Sequence, residues 1–179
     1  KEFEAQFDQS PGSGGDSCNF IGMTIRSTPD RRVVRINTPK LWERLAERLK
    51  GVKLPKARAP LPMIALEEIA AEPSEDNPLL TEGECDVRGV LGVVAWGMQA
   101  SRPAETFAAS LLACRSHVTT RRYCKMLLHL CAYCLDHANG DVVIGAVMRG
   151  KDFHCHVDSS WANDVATSRS WFGYSLGWG

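Results

Sequence analysis

The sequence predicts an α+β fold, with strands towards both ends and helices between them. Three observations carry this. Asn19 to Arg26 (NFIGMTIR) and Val33 to Ile36 (VVRI) are short apolar runs on either side of a Pro-Asp-Arg-Arg turn, the pattern of a β-hairpin. Lys40 to Leu49 and Arg121 to His137 repeat apolar residues three and four apart, which gathers them on one side of a helix. The stretch His154 to Gly179 (HCHVDSSWANDVATSRSWFGYSLGWG) sets two apolar, aromatic-rich segments about a polar turn and reads as a second hairpin.

Taken in order, Lys1 to Phe7 places Phe3 and Phe7 four apart, as at the end of a helix, and Ser10 to Ser17 is a Gly/Ser-rich turn. The first hairpin offers Phe20, Met23 and Ile25 for burial. Thr38-Pro39 is a helix start, with Thr as N-cap and Pro at the first helical position, where its missing N–H is not needed. Leu41, Leu45 and Leu49, with Trp42, form the apolar stripe of that helix, and Lys40, Arg44 and Arg48 run along an adjoining face. Gly51 ends it. Val52 to Pro78 carries five prolines and is linker-like, with one short helix expected within Leu61 to Ala71. Glu84 to Gln99 reads as a helix whose Gly89, Gly92 and Gly97 permit close packing of a neighbour. Pro103 opens a further helix, Ala104 to Arg115, with Phe107, Leu111 and Leu112 inward. Thr119 or Thr120 caps the helix Arg121 to His137, whose Met126, Leu127, Leu130, Cys131, Cys134 and Leu135 share one side. After Gly140, Val142 to Met148 and Phe153 to Val157 are strands leading into the last hairpin. There Asp158 ends a strand running out of a core, and Trp171, Phe172, Tyr174, Leu176 and Trp178 line the second strand.

A chain of 179 residues can bury a sizeable core in one domain or two small ones. A hydrophobic fraction of 44% with 23% charged residues excludes a disordered or fibrous chain. No apolar run approaches the twenty or so residues of a bilayer span and no secretory signal pattern is present, so no membrane partner and a cytoplasmic or nuclear location are expected. Seven cysteines, odd in number and scattered, suit reduced thiols better than a disulfide scaffold. The net charge is zero but unevenly spread. Arg26 to Arg58 holds eleven Lys/Arg against three acids, whereas Ala59 to Val87 holds eight acids and no Lys or Arg. A basic segment of that density can neutralise nucleic-acid phosphates; a solvated helix face is the plainer reading of the same charges.

The last hairpin resembles the opening of the ribonuclease H domain in copia-type LTR retrotransposon Pol polyproteins. There an aspartate, a Trp-Ala pair, a polar turn with a basic-Ser step and a Gly-Tyr strand follow one another, as Asp158, Trp161-Ala162, Arg169-Ser170 and Gly173-Tyr174 do here. The likeness continues upstream in the same order and covers Phe7 to Gly179. Phe20-Ile21-Gly22-Met23 is similar to the Phe-Leu-Gly-Ile hairpin that ends the polymerase, and Ile36 to Leu49 to its basic, leucine-rich helix. Ala59-Pro60-Leu61 is similar to a Thr-Pro-Leu step, Val87 to Gly92 to a Tyr-Arg-x-x-Ile-Gly helix, and Arg102-Pro103-Ala104 to an Arg-Pro-Asp motif. Ala104, Val87 and Ser160 depart from the family's acid, tyrosine and acid at those places.

The resemblance implies that residues 1–58 are the end of a reverse transcriptase palm with a thumb-like helix and 59–83 an acidic linker. It further implies that 84–140 are a helical connection and 141–179 the first strands of an incomplete ribonuclease H-like sheet. By the same resemblance Phe20, Ile21 and Gly22 belong to a primer grip, and Arg26, Lys40, Arg44 and Arg48 contact the backbone of an RNA/DNA hybrid or template-primer duplex. Asp158 is the first metal-binding, catalytic carboxylate. Mg2+ or Mn2+ is expected in the complete enzyme only, because two-metal chemistry needs several converging acids. The polymerase carboxylates and most nuclease carboxylates are expected outside this chain, in the remainder of the Pol polyprotein, and the chain alone is expected to be inactive. The reading from a different class is a noncatalytic retroelement-derived remnant or interaction module.

Two other chemistries have only partial support in the residues. Cys131, Cys134 and His137 are spaced like metal ligands and His154, Cys155 and His156 lie near the last hairpin, but a zinc site needs four ligands converging tetrahedrally. Cys131 and Cys134 fall on the inward stripe of a helix, where free cysteine behaves as a small apolar residue. No local signature marks a Cys–His nucleophile pair.

Overall fold

The computed structural model describes residues 17–30, 33–145, 153–160 and 171–178. The expectations for Lys1 to Phe7 and for residues 10–16, and the residues Arg31, Arg32, Met148, Trp161-Ala162 and Arg169-Ser170, lie outside these. The chain divides into two units, Lys1–Ile144 and Gly145–Gly179.

The first unit is α+β. Its sheet begins with β1 (Ser17–Phe20), β2 (Met23–Ser27) and β3 (Val33–Asn37), each antiparallel to the next. The run Asn19 to Arg26, expected to be one strand, folds back on itself at Ile21-Gly22. Both residues have positive φ, 47° and 81°, the backbone that lets a two-residue turn follow the right-handed twist of its strands. Glycine at the second position makes this possible; the apolar pattern alone does not reveal the reversal. Phe20, expected to be buried, is 45% exposed at the tip of this hairpin, while Met23 and Ile25 are half-buried. The strand β4 (Val142–Gly145) lies beside β3, completing the order β1-β2-β3-β4. The sequence groups it with the last hairpin, because Val142 to Val157 reads as one broken apolar run. Its partner is instead β3, and Asp141 beside it pairs with Arg35 of β3 at 3.7 Å.

Five α-helices follow among the described residues: α1 (Pro39–Arg48), α2 (Ala65–Ala70), α3 (Val87–Ser101), α4 (Thr106–Cys114) and α5 (Arg121–Asp136). The core runs between them, with Trp42 and Leu45 of α1, Val94 and Met98 of α3, Leu112 of α4, and Tyr123, Leu127, Leu130 and Cys131 of α5 almost or wholly buried. The helix α1 starts where Thr38-Pro39 placed it, yet the Thr38 hydroxyl does not cap it. It hydrogen-bonds Ser101 Oγ at 2.8 Å in the interior, tying the start of α1 to the end of α3. Thr120 does cap α5, accepting from Tyr123 N at 3.2 Å. The Tyr123 hydroxyl donates to Leu112 O at 2.8 Å, so this buried ring also joins α5 to α4.

The proline-containing stretch expected to be a linker is built onto α5. Ala65 and Ile69 of α2 are buried, and α2 packs on α5. Asn77, 1% exposed, donates to the carbonyls of Ala71 and Glu72 and accepts from Arg122 N at 2.9 Å, while Arg121 N donates to Pro78 O at 3.1 Å. Two of the first-turn amides of α5 thus find their partners in this stretch. The acids follow the same logic: Glu68 meets Arg122 at 3.7 Å and Glu72 meets Arg115 at 3.1 Å. Opposite charge draws the acidic run onto cationic side chains at the two ends of the α4–α5 connection.

A 3-10 turn, Pro103–Glu105, leads into α4, in which Leu111 and Leu112 point inward. Phe107, expected inward with them, is 58% exposed and lines a cavity of about 310 Å³ with Pro60, Leu61, Met63 and Leu66. The second unit pairs β5 (Phe153–Ser160) with β6 (Trp171–Trp178) antiparallel, as the aromatic pattern predicted.

Candidate functional site

The cations singled out in the sequence occupy two places. On the sheet, the register sets Arg26 of β2 directly opposite Arg35 of β3, and both are exposed. Residues opposite one another in a ladder share a face with Cβ atoms about 5 Å apart, so two guanidinium groups are brought together where like charges repel. Arg35 has Asp141 at 3.7 Å. Arg26 has no ion-pair partner among the described residues, so among these the two cations share one carboxylate. Charge density in the sequence counts Arg26 and Arg35 alike, and only Arg26 stands among the expected contact residues; the signal that brings Arg35 beside it is the hairpin register.

On α1, Lys40, Arg44 and Arg48 are exposed and recur every four residues, one helical turn apart. They are not equivalent. Arg48 Nη1 donates to Asp86 Oδ2 at 2.7 Å, whereas Lys40 and Arg44 have no ion-pair partner among the described residues. Arg48, expected to face a phosphate backbone, is thus held to α3. Asp86 is itself the N-cap of α3, its Oδ1 accepting from Gly89 N at 2.9 Å. Gly89 is glycine for a local reason, since a Cβ there would lie 2.5 Å from Arg48 Nη1 and 2.6 Å from Asp86 Oδ1. Asp86→Ala is expected to lower stability by about 1 kcal/mol, read as a Tm about 2–4 °C lower. The cap supplies nearly all of it, because an ion pair left almost half exposed contributes little.

The hairpin tip presents Phe20 and Ile21, the latter 63% exposed, beside the turn glycine Gly22. A branched residue at φ 47° is strained, because its Cβ crowds the following carbonyl, and strain of this kind gathers at contact sites. Phe20, Ile21 and Gly22 therefore form one apolar, exposed turn.

Asp158 lies on β5 opposite Gly173, with Val157 opposite Tyr174. The acid is on a strand with an aromatic-rich neighbour, the setting expected of it. A metal centre needs more than one such group. Among the described residues no cluster of three or more His, Cys, Asp or Glu could hold a metal ion. Cys131 and Cys134 are fully buried on α5, where burial pushes both thiols up, that of Cys134 to about 12. His137, spaced with them, is exposed and has its Nδ1 2.8 Å from Tyr133 O.

Arg102, in the Arg-Pro-Ala step, is buried. Its Nη2 donates to Glu105 Oε1 at 2.6 Å, so the residue after Ala104 supplies a carboxylate in this chain.

Comparison of the chain with protein-family models, curated proteins and solved structures finds no match. No helix among the described residues is long and apolar enough to cross a membrane.

Proposed function

We propose that the first unit holds a nucleic-acid backbone, as the part of a retroelement reverse transcriptase and ribonuclease H that grips an RNA/DNA hybrid or template-primer duplex. The observation that carries this reading is the pairing pattern along α1. Lys40 and Arg44 stand exposed and unpartnered among the described residues, while Arg48 on the same helix meets a carboxylate, as do Arg115 and Arg122 elsewhere in the unit. An unpaired row of cations gains free energy by displacing counterions from a phosphate chain, whatever its base sequence. The Arg26 and Arg35 pair adds a second basic patch, and the exposed turn at Phe20 and Ile21 offers an apolar contact of the kind a base or sugar accepts. In this reading the remainder of the Pol polyprotein supplies the other carboxylates, Asp158 joins them as a ligand of Mg2+ or Mn2+ in the complete enzyme, and the setting is cytoplasmic or nuclear.

Fluorescence anisotropy with a labelled RNA–DNA hybrid, read from about 50 to 200 mM salt, tests it. Lys40→Glu with Arg44→Glu is expected to weaken binding and to reduce the slope of log affinity against log salt by about 2, one for each phosphate no longer neutralised. Arg48→Ala should leave the slope as it was. A noncatalytic module that binds protein alone would show no salt-dependent affinity for the hybrid, and a slope untouched by the double substitution removes α1 from the interface.

A further inference from the structure

Along the outer side of α3, Arg88, Gly92 and Trp96 follow one another four residues apart, and all three are exposed. Two of them stand out on a solvated face. Trp96 leaves 39% of its surface open, with no ring contact or hydrogen bond among the described residues. Gly92 lies inside the helix, where glycine is less stable than alanine, and nothing comes within 4 Å of the Cβ it lacks. Gly89 and Gly97 are crowded by Arg48, Asp86 and Trp42; no such neighbour accounts for Gly92.

This row adjoins the cations of α1. The two helices run antiparallel: Thr38 Oγ1 is 2.8 Å from Ser101 Oγ, Leu41 Cδ2 would lie 2.9 Å from a Cβ on Gly97, and Arg48 Nη1 2.5 Å from one on Gly89. Leu41 and Arg48 therefore mark the flank of α1 that meets α3, and Arg44, three residues after the one and four before the other, belongs to it. By the same spacing Gly92 and Trp96, three and seven residues beyond Gly89, follow the flank of α3 that meets α1. Arg44 and Gly92 thus stand at about the same level, midway between the two crossings, with Lys40 and Trp96 a turn further towards one end and Arg88 a turn towards the other. Lys40, Arg44 and Arg88 have no ion-pair partner among the described residues, so the seam carries positive charge beside an open ring.

We propose that the seam between α1 and α3 holds an unpaired stretch of a nucleic-acid strand, with a base stacked on Trp96, phosphates on Lys40, Arg44 and Arg88, and the strand passing over Gly92. This rests on α1 holding a nucleic-acid backbone, and adds which kind of strand it holds. Cations follow the phosphates of a duplex and of a single strand alike. A ring face adds stacking, which only a base freed from its neighbours can accept. Bare backbone at Gly92 lets the strand approach closely enough to meet cations and ring together.

Fluorescence anisotropy on the full chain, with one blunt RNA–DNA hybrid and one carrying a single-stranded overhang, tests this. The overhang is expected to tighten binding. Trp96→Ala should lower affinity for the overhang probe roughly 5- to 100-fold, the effect of one base–aromatic stack, and leave both the blunt probe and the salt slope unchanged. Trp96→Phe should keep most of the gain. Gly92→Leu should weaken the overhang probe several-fold while Tm holds or rises, because leucine favours a helix more than glycine does. Equal affinity for the two probes, or a Trp96→Ala loss that is the same on both, overturns the site. So does a lack of effect from Trp96→Ala and Gly92→Leu where Lys40→Glu with Arg44→Glu still weakens binding, a result that leaves the role of α1 standing. No salt-dependent affinity of the unaltered chain for either probe overturns both.

Discussion

Arg102→Ala is expected to lower the unfolding free energy by about 3–5 kcal/mol, read by urea denaturation. The side chain is 7% exposed and touches three elements at once. Nη2 binds Glu105 Oε1, Nη1 donates to Cys134 O at 3.1 Å and to His137 O at 2.9 Å, and the guanidinium lies 5.5 Å from the Trp42 ring and 5.8 Å from that of Tyr133. It donates to carbonyls at the C-terminal end of α5, where the last carbonyls have lost their helical partners; His137 O accepts from Gly140 N as well, at 2.9 Å. Truncation leaves a buried carboxylate alone and takes the arginine donor from the Cys134 carbonyl, and an orphaned buried charge costs more than the pair itself contributes. A control follows from the same physics. Arg102→Met combined with Glu105→Leu removes both charges and should recover a large part of the loss, so a double variant no better than the single one would refute the assignment.

Gly97→Val is expected to cost about 3 kcal/mol, while Gly92→Ala on the same helix should stabilise the chain by about 0.5–1 kcal/mol; both are read from denaturation midpoints. A Cβ added at Gly97 would lie 2.7 Å from Trp42 Cζ2 and 2.9 Å from Leu41 Cδ2, closer than carbon atoms approach. Trp42 is 2% exposed and has nowhere to swing, so α1 must lift from α3. At Gly92 nothing lies within 4 Å, and alanine simply removes the glycine's entropy penalty in a helix. If both substitutions moved stability in the same direction, the contact between Trp42 and Gly97 would not be what sets the spacing of these helices.

The glycines show how far residue patterns reach. Three of them in one predicted helix suggest close approach, and at Gly97 a neighbouring ring does arrive. At Gly89 the crowding comes from the helix's own cap and its arginine, and at Gly92 there is open space. Spacing reports which residues share a face, not which neighbour meets that face. For the same reason α1 and α5 are legible from apolar periodicity, and β5 and β6 from aromatic alternation, whereas residue pattern alone reads Asn19 to Arg26 as one strand and only the resemblance carried by Phe20-Ile21-Gly22-Met23 points to its turn. The candidate site is half legible. Charge density draws attention to Lys40, Arg44 and Arg48, but that Asp86 engages only the last depends on a loop many residues away. Arg35 emerges only from strand register, and Phe107 departs from its helical stripe because α4 carries apolar residues on nearly every side and so has no single inward face to read.

The partners of the α5 amides bear on where this chain can be cut. Asn77 and Pro78 belong, by composition, to a tether between modules, yet Arg121 and Arg122 depend on them for hydrogen bonds. A recombinant helical fragment begun at Glu84 would keep every residue of α3, α4 and α5 and still lose the lid on the last of them. The first residue of a helix is therefore no guide to where the chain can be cut, because the start of α5 is completed by an asparagine side chain more than forty residues earlier.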